Sequence, residues 1–360
     1  MKVLFLTQYS PLGSTSRYRV YQFLPYYERE GLDCSVANFH TDAYVRNFSG
    51  MRDWRPKARR LPYMMGRYGR RFLSLLRSGR YDLVVVEREV FPFLPTSFDS
   101  LIFRVAKAVV VEYDDATHIY HQHLLDSAVL RSLLHSKVPT LMARSAGVIV
   151  GNRHLEAYAR QHNPNVLLAP TAIDTDRYRV KKATTFSPSG SAWIGWIGTP
   201  LTASCLGQIT DGLRSLVRRY DIRLKVIGAP SFRIEGVPVV AIPWRLETEV
   251  QELQSCDIGV MPLRDDAYSR GKCGAKLLQY MGVGLPTVAS PVGANQEIVH
   301  QEESGFLART QDEWIEALAR LIEDVDLRRQ MGQVGRQVVE REYALSRIAP
   351  RLQTFLETFA

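Results

Sequence analysis

No run of about 18 apolar residues occurs in the sequence, so no segment is expected to cross a bilayer as a helix. Cysteine is also scarce, since four residues stand far apart without the paired spacing typical of zinc sites or disulfide frameworks. These absences predict a protein of the reducing cytoplasm with no dedicated metal site. Residues 1–13 contain one Lys and a short apolar stretch that could be mistaken for a secretory signal, but they fit a buried strand and its following loop better.

Positive charge is in excess and is unevenly distributed along the chain. The net charge is +9, and residues 52–80 alone hold ten Arg or Lys and one acid, Asp53. A basic excess indicates nucleic acid, a membrane surface or an anionic substrate as partner, and composition does not choose among them.

Short β-branched runs alternate with longer amphipathic stretches along the whole chain, which predicts parallel sheets built of βαβ units. A length of 360 residues suits two such α/β domains. The predicted strands are Val3–Thr7, Cys34–Ala37, Leu83–Glu87, Val109–Tyr113, Gly147–Val150, Val166–Leu168, Trp193–Ile197, Arg223–Ile227, Val237–Ala241, Ile258–Met261 and Thr287–Ala289.

The periodic pattern is interrupted at 171–191, where Lys, Thr, Ser, Pro and Gly accumulate. We therefore predict an acceptor-side domain at 1–170, a linker at 171–191 and a nucleotide-sugar-binding domain at 192–344. A C-terminal helix at 345–360 is expected to return to the first domain. Two similar halves would place a cleft, and with it the active site, between them.

The most specific motif is GKCGAKLLQYMGVGLP at 271–286, followed by TVASPVG at 287–293. It resembles the donor-binding helix of family 4 glycosyltransferases, in which a Gly-containing loop opens a helix that ends in a small-residue-Gly-x-Pro turn. Amides at such a helix start, near Gly274 and Ala275, point at a nucleotide diphosphate, and the helix dipole favours its charge. A structural helix–turn–strand of any doubly wound fold is the alternative.

Further stretches agree with the same family in the same order. SPLGSTSRYR at 10–19 follows the first strand, where the family has a Gly-rich loop and a helix that approaches donor and acceptor. VIVGN at 148–152, PTAIDTDRY at 170–178 and DIGVMPL at 257–263 are similar to the entry into the linker and to the strand before the donor loop. The resemblance covers the chain to about residue 310.

Residues matching the family's site positions are therefore candidates. Those on the donor side are Gly13, Gly198, Thr199, Trp244, Lys272, Gly274, Ala275, Lys276 and Gln279. Those on the acceptor side are Arg17, Arg19 and Arg88. Trp244 is equally well read as a core aromatic and Lys276 as an exposed helix charge.

The motif also departs from the family pattern. Lys272 and Gln279 stand where the family usually carries two glutamates, and the usual Arg and Lys near the turn after the first strand of the second domain are absent. Gln279 can still hydrogen-bond ribose hydroxyls. Lys272, with Lys276 as a second candidate, would supply the positive charge that the diphosphate needs.

Candidate catalytic residues follow the fourth strand, at the carboxyl edge where such folds place their sites. Asp114 and Asp115 are adjacent, and two neighbouring side chains are too few to build a metal site. We expect one carboxylate to bind sugar or acceptor hydroxyls and the other to cap the next helix. His118 resembles a family histidine beside the transferred sugar, with a solvent-exposed or capping histidine as the alternative.

The resemblance implies a GT-B fold with two Rossmann-like domains. It also implies a retaining, metal-independent transferase without a cofactor, which moves a hexosyl or other sugar from a nucleotide-sugar donor to an envelope glycan or lipid-linked acceptor. A nucleotide-sugar epimerase on the same scaffold is the enzymatic alternative. A nicotinamide dehydrogenase would need a G-x-G-x-x-G turn after Val3–Thr7, which is absent. A nucleic-acid-binding protein is the non-enzyme alternative, but no recognition motif or aromatic platform supports it.

The basic segment 52–80 predicts an interfacial helix on the inner face of the cell membrane. On a helical projection, an apolar face gathers Met64, Tyr68, Phe72 and Leu75. The opposite face gathers Arg67, Arg70, Arg71 and Arg77, and Leu73 is the exception. The alternative is that the apolar face packs on the first sheet and the arginines are solvated.

Overall fold

Two parallel sheets of six strands each organise the chain in a computed structural model that describes residues 1–48, 57–124 and 127–360. The chain divides into two units. The first unit comprises Met1–Thr171, Arg270–Cys273 and Leu345–Ala360. The second comprises Ala172–Ser269 and Gly274–Ala344, so it begins within the stretch predicted to be a linker.

The first unit has the strand order β2-β1-β3-β4-β5-β6, with every neighbouring pair parallel. Its strands are β1 Lys2–Thr7, β2 Asp33–Asn38, β3 Leu83–Glu87, β4 Val109–Tyr113, β5 Gly147–Val150 and β6 Val166–Leu168. Its helices are α1 Ser14–Arg19, α2 Leu24–Arg29, α3 Asp42–Phe48, α4 Lys57–Arg77, α5 Thr96–Asp99, α6 Ile102–Val105, α7 Thr117–Ile119, α8 Ala128–Leu134, α9 Lys137–Arg144, α10 Arg153–Ala159 and, last in the chain, α18 Leu345–Glu357.

The second unit has the strand order β12-β11-β10-β7-β8-β9, again all parallel. Its strands are β7 Ser191–Ile197, β8 Asp221–Ile227, β9 Val239–Ile242, β10 Ile258–Met261, β11 Thr287–Ala289 and β12 Gly305–Leu307. Its helices are α11 Thr210–Val217, α12 Glu249–Gln254, α13 Ala267–Arg270, α14 Ala275–Gly282, α15 Asn295–Ile298, α16 Gln311–Glu323 and α17 Val325–Val338.

The predicted α/β class with two parallel sheets is confirmed. β3 and β4 are buried along their whole length, as expected of strands covered on both faces and rich in Val. The predicted strands agree with the observed ones to within about two residues, but β12 was not predicted. β12 has three residues, of which only Phe306 and Leu307 are large and apolar, so its pattern is too short to read as a strand.

Each sheet contains a point where the strand order reverses direction. In the first sheet it lies between β1 and β3, and in the second between β7 and β10. Ligands of open α/β sheets bind outside the carboxyl ends of the strands at such points. Loops after these four strands are therefore the places to look for a site.

The C-terminal helix α18 packs with the first unit. The aromatic rings of Phe355 and Phe359 lie so close to Gly147 that a Cβ atom there would come within 2.8 Å of both. Arg351 donates a hydrogen bond from Nη2 to the carbonyl oxygen of Leu168 over 3.0 Å. Gly147 is therefore needed for close packing of this helix on β5.

Helix α4 contains most of the basic segment, of which residues 52–56 lie outside the described part. The helical projection predicts Arg67 and Arg71 on the polar face of α4, but both are buried. The exposed apolar side of the helix also differs from the predicted one. Arg67 and Arg71 are buried, because their guanidinium groups donate to the carbonyl oxygens of Asn38, Phe39 and Thr7 at the ends of β1 and β2. A carbonyl oxygen can accept two hydrogen bonds, and these two arginines donate to carbonyl oxygens at the strand ends.

The solvent-facing side of α4 is apolar with a basic edge. Met65, Phe72, Leu73 and Leu76 are 43–63% exposed, and Arg70 and Arg77 are exposed as well. Leu75 is buried. None of the helices in the described part of the chain is long and apolar enough to cross a membrane.

Candidate active site

Helix α14, which the donor-helix motif includes, begins directly after Gly274. Gly274 precedes the helix in a left-handed conformation, with φ of 65°. A Cβ atom there would lie 2.2 Å from Cδ1 of Ile298. Glycine thus satisfies both the backbone conformation and the close packing, and it leaves the first amides of α14 unobstructed by a side chain.

Tyr280 fixes α14 at the reversal point of the second sheet. Its buried hydroxyl accepts a hydrogen bond from the amide of Ile197 over 3.0 Å and donates to the carbonyl oxygen of Val260 over 3.3 Å. These two residues belong to β7 and β10, the strands that flank the reversal. Gly259 makes room, since a Cβ atom there would lie 2.3 Å from the Tyr280 ring.

The turn after β7 holds the candidates Gly198 and Thr199. The amide of Thr199 donates to Oγ1 of Thr202 over 3.1 Å, which closes the turn. A Cβ atom on Gly228 would lie 2.1 Å from the Gly198 carbonyl oxygen, so the loop after β8 passes directly beside this turn. The turn is consequently narrow and is composed of backbone rather than of basic side chains.

Gln279 and Trp244 lie at the two ends of one hydrogen-bond chain. Nε2 of Gln279 donates to Oη of Tyr178 over 3.3 Å, and that hydroxyl donates to the buried carboxylate of Glu249. The same carboxylate accepts from Nε1 of Trp244 over 2.6 Å and from Arg177 over 3.3 Å. This chain fixes both candidates in place and counts against Trp244 as a purely apolar core residue.

Sequence reasoning missed the roles of Tyr178 and Glu249. Tyr178 belongs to the linker motif but carried no signal of a partner, and Glu249 is one acid in an ordinary helix start. Only the fold brings residues 71 positions apart into contact.

Lys272 lies in the segment Arg270–Cys273, which folds with the first unit. Asn152 holds this segment by donating from Nδ2 to the carbonyl oxygens of Lys272 over 3.0 Å and Arg270 over 3.3 Å. The ammonium of Lys272 lies 3.6 Å from Oδ1 of Asp115. Lys276 differs, because its ammonium lies over the Trp196 ring, 5.3 Å from the centroid.

Arg88 clamps the Asp114–Asp115 pair. Its Nη2 atom donates to Oδ1 of Asp114 over 2.7 Å, to Oδ2 of Asp115 over 2.9 Å and to Oγ1 of Thr15 over 3.2 Å. The Arg88 backbone has φ of 61°, a conformation that non-glycine residues adopt rarely. Two carboxylates and two cations, Arg88 and Lys272, thus form one cluster.

The expected helix cap by an aspartate is wrong. The residue before α7 is Ala116, and no side chain caps this helix. The carbonyl oxygen of Asp115 accepts from the amide of Thr117 over 2.8 Å instead, so the backbone performs that function and both carboxylates face Arg88. Among the described residues, no group of three or more His, Cys, Asp or Glu has an arrangement that could hold a metal ion.

His118 is buried, with its ring stacked on Tyr158 at a centroid distance of 3.7 Å. Burial, together with the neighbouring histidines, lowers its pKa to about 4. The imidazole is therefore neutral near pH 7, and it can donate or accept a hydrogen bond without carrying charge.

The loop after β1 differs from a simple phosphate-binding loop. Gly13 has φ of −76°, and a Cβ atom there would lie 2.3 Å from Cβ of Tyr9, so it serves close packing of that side chain. Arg17 is buried with Nη1 3.5 Å from the Pro11 carbonyl oxygen. Arg19 forms a buried ion pair of 2.6 Å with Glu112, which favours a structural role.

Glu87, at the end of β3, is a further buried acid that sequence reasoning did not single out. Its Oε2 atom accepts from Oγ of Ser16 over 2.6 Å and from the amide of Gln8 over 3.2 Å. Burial raises its pKa to about 8. This carboxyl ties α1 to the ends of β1 and β3 at the reversal point.

Comparisons with known proteins give a family match over part of the chain and a shared fold. Residues 200–324 match the model of the family described as glycosyl transferases, group 1. That range begins directly after Gly198 and Thr199, and it contains Trp244 and all of α14. No curated protein sequence matches the chain.

Several solved structures share the fold over nearly the whole chain. HepE of Anabaena, in complex with UDP-glucose, has a TM-score of 0.73 at 14% identity, covering 99% of this chain and 100% of that one. WaaG, a glycosyltransferase involved in lipopolysaccharide biosynthesis, has a TM-score of 0.68 at 13% identity, with 99% of each chain covered. Sucrose-phosphate synthase of Thermosynechococcus elongatus has a TM-score of 0.66 at 15% identity, covering 99% and 98%.

The fold is therefore that of the GT-B glycosyltransferases. The family match over residues 200–324 and this fold together support a glycosyltransferase.

Proposed function

We propose that this protein is a retaining family 4 glycosyltransferase that transfers a sugar from a nucleotide-diphosphate donor to an envelope glycan or lipid-linked acceptor. The observation that carries the proposal is the start of α14, where left-handed Gly274 opens the helix and Tyr280 fixes it to β7 and β10. The family match includes this helix. HepE binds UDP-glucose, which supports a nucleotide sugar as donor and a hexosyl group as the transferred sugar.

The donor diphosphate would lie against the second unit, near Gly198, Lys272, Gly274 and Gln279. As the bond from the anomeric carbon to the diphosphate breaks, negative charge develops on the leaving phosphate. Helix amides at Gly274 and Ala275 and the ammonium of Lys272 would stabilise that charge. A transferase accelerates the reaction by stabilising the charge that develops in the transition state. These groups are therefore central to the proposed mechanism.

Asp114, Asp115 and His118 would act on the sugar side of the reaction. Arg88 holds the two carboxylates in fixed positions, and the neutral imidazole of His118 offers a hydrogen bond to a sugar hydroxyl. We propose that no metal ion is needed, since the aspartates already contact Arg88 and Lys272 and the cations of the protein can balance the diphosphate.

The exposed side of α4 supports an acceptor at a cytoplasmic membrane face. A stripe of Met65, Phe72, Leu73 and Leu76, bordered by Arg70 and Arg77, has the composition of a helix that lies in an anionic interface. An acceptor made or held at that surface would then be within reach of the first unit.

A reaction followed by proton NMR tests the proposal. The protein is incubated with UDP-glucose and with a panel of glycan acceptors, with and without EDTA. The expected result is transfer that depends on acceptor, releases UDP, keeps the donor's anomeric configuration and is unchanged by EDTA. Conversion of the donor sugar without any acceptor would instead indicate an epimerase, and loss of turnover in EDTA that magnesium or manganese restores would assign Asp114 and Asp115 to a metal.

A further inference from the structure

Five of the eight histidines in the chain lie around the candidate catalytic segment. Four of them act electrostatically on the fifth, His118. The four are His121, His123, His154 and His162. His118 itself lies face to face on the ring of Tyr158, at a centroid distance of 3.7 Å and an interplanar angle of 8°. The proposed mechanism has so far given Tyr158 no role.

Stacking on Tyr158 restricts the imidazole of His118. A separation of 3.7 Å is van der Waals contact between nearly parallel rings, so the imidazole cannot tilt without losing that contact. Within the described residues, no hydrogen bond engages its ring nitrogens, and neither nitrogen is among the fully buried atoms without a partner. Both nitrogens are therefore open to a substrate hydroxyl, while Tyr158 covers one face of the ring.

Tyr158 is held in place by the helix that carries it. Asn152 caps α10, since its Oδ1 atom accepts a hydrogen bond from the amide of Leu155 over 2.8 Å. Leu155 and Ala159 are buried and anchor the helix on the first unit. Nδ2 of Asn152 donates to the carbonyl oxygen of Lys272 over 3.0 Å. One side chain thus fixes both the helix of Tyr158 and the segment of Lys272.

Contact with Tyr158 contributes to the exclusion of water from His118, which is 5% exposed. Water stabilises an imidazolium far more than a neutral imidazole, so desolvation disfavours the charged form. Burial is the largest of the causes that lower the pKa of His118 to about 4, and the four neighbouring histidines act in the same direction.

Charged side chains on the neighbouring elements do not offset this preference. On α9, which packs against α7, Lys137 is paired with the buried carboxylates of Glu89 and Asp99, and Arg144 lies over an aromatic ring. His121, on the turn after α7, contacts Glu89 as well. These carboxylates are already balanced by other cations, so they do little to favour an imidazolium at position 118.

The carboxylate of α10 is also paired. Glu156 lies 2.7 Å from Nη2 of Arg160, and the other titratable groups at the start of the helix are Arg153 and His154. The two aspartates that precede α7 contact Arg88. A neutral imidazole is therefore the form that this environment favours.

A neutral imidazole suits the sugar side of the proposed reaction. When the diphosphate leaves, positive charge develops at the anomeric carbon, and an imidazolium beside it would repel that charge. A neutral His118 can still form a hydrogen bond with a sugar hydroxyl.

We propose that Tyr158 is the positioning residue of His118. Its ring fixes the orientation of the imidazole and shields it from water, so that His118 meets the transferred sugar as a neutral group. This inference rests on the proposed function, because it assigns a partner to one of the residues on the sugar side of that reaction.

NMR spectroscopy of the full chain with labelled histidine tests the stack without any substrate. His118→Gln identifies the His118 signals. We expect these signals to be shifted upfield by the ring current of Tyr158 and to remain those of a neutral imidazole down to about pH 5. Tyr158→Ala should remove the upfield shift and raise the pKa of His118 toward its ordinary value of about 6.5.

Tyr158→Phe is the matched variant, because it keeps the ring face and removes only the hydroxyl. It should preserve the upfield shift and the low pKa of His118. His162→Gln removes the histidine that contacts Tyr158 edge on, and it should raise the pKa of His118 far less than Tyr158→Ala does. A His118 pKa near its ordinary value in the original protein, no change in Tyr158→Ala, or an equal rise in His162→Gln would each overturn the inference.

The pH dependence of sugar transfer from UDP-glucose adds a readout that a purely structural role would not change. With a pKa near 6.5, about a tenth of His118 is neutral at about pH 5.5. Relative to Tyr158→Phe, transfer by Tyr158→Ala should therefore fall about tenfold between about pH 8 and pH 5.5. The same pH dependence in both variants would contradict the inference.

Binding of UDP, measured by calorimetry, shows whether Tyr158→Ala is folded. If it is not, the upfield shift and the pKa of His118 in the original protein and in Tyr158→Phe decide the question. Absence of transfer from UDP-glucose together with the expected His118 signals would contradict the proposed function alone. Transfer by the original protein, with His118 unaffected in Tyr158→Ala, would contradict this inference alone.

Discussion

At the scale of single residues, Lys272 and Lys276 lie four positions apart around the start of α14 and contact different groups. Lys272 is 3.6 Å from Asp115, whereas Lys276 lies over Trp196. An ammonium has three donors, so Lys272 can contact a phosphate while it stays near Asp115. The diphosphate contact is therefore expected from Lys272 rather than from Lys276.

We predict that Lys272→Ala weakens nucleoside diphosphate binding by roughly 1.5 to 3 kcal/mol, because a charge-assisted contact to phosphate is lost. Lys276→Ala is the matched variant and should cost less, since the Lys276 ammonium lies over the ring of Trp196 in β7. Titration calorimetry with UDP measures both. Equal small losses would mean that other groups hold the diphosphate.

Gly274 is the residue on which the helix start depends. We predict that Gly274→Ala destabilises the second unit by about 1–2 kcal/mol, because a left-handed alanine is strained. Its Cβ atom would also press on Ile298, so nucleotide binding should fall as well.

Gly207→Ala provides the control in the same unit, because no neighbouring heavy atom lies within 4 Å of a Cβ atom there. Thermal unfolding and calorimetry measure stability and binding. Similar melting temperatures and UDP affinities for the two alanine variants would show that the conformation of Gly274 is not required.

At the scale of elements, the predicted association of α4 with an anionic membrane can be tested by substitution. The arginines that contact strand-end carbonyls, Arg67 and Arg71, are unsuitable for charge reversal because their loss would disturb the fold. Arg70 and Arg77 are exposed and border the apolar stripe. They are the residues to exchange.

We predict that the protein sediments with phosphatidylglycerol vesicles at low salt and that binding fades as salt rises, since each basic residue near the surface contributes about 1 kcal/mol. Replacing Arg70 and Arg77 by Glu should abolish most of this binding. Replacing Arg218 and Arg233, exposed in the second unit, changes the net charge equally and should preserve it. No binding by the original protein, or equal loss in both double variants, would favour a soluble acceptor.

The elements also show which features a sequence can predict. Buried strands such as β3 and β4 are predictable because apolar β-branched runs have few other stable arrangements. The faces of α4 were not predictable from periodicity, because Arg67 and Arg71 are buried by hydrogen bonds to strand-end carbonyl oxygens that lie far away in the sequence.

At the scale of the whole molecule, some residues of the candidate site could be predicted from the sequence and others could not. Gly274 lies within a contiguous motif and could be read from the sequence. The contacts of Arg88 with Asp114 and Asp115 could not be read from the sequence, because they depend on the alignment of β3 with β4. Glu249 had no local signal, since its partners are 71 positions or more away or belong to an irregular loop.

The central claim is that a nucleotide-sugar donor binds to the second unit at the start of α14. A crystal structure of the protein with UDP tests this most directly. The account predicts the diphosphate within hydrogen-bond distance of the first amides of α14 and of the Lys272 ammonium, with the nucleoside toward Gly198 and Gln279. A structure with UDP bound instead against the loop after β1, at residues 10–16, would contradict it.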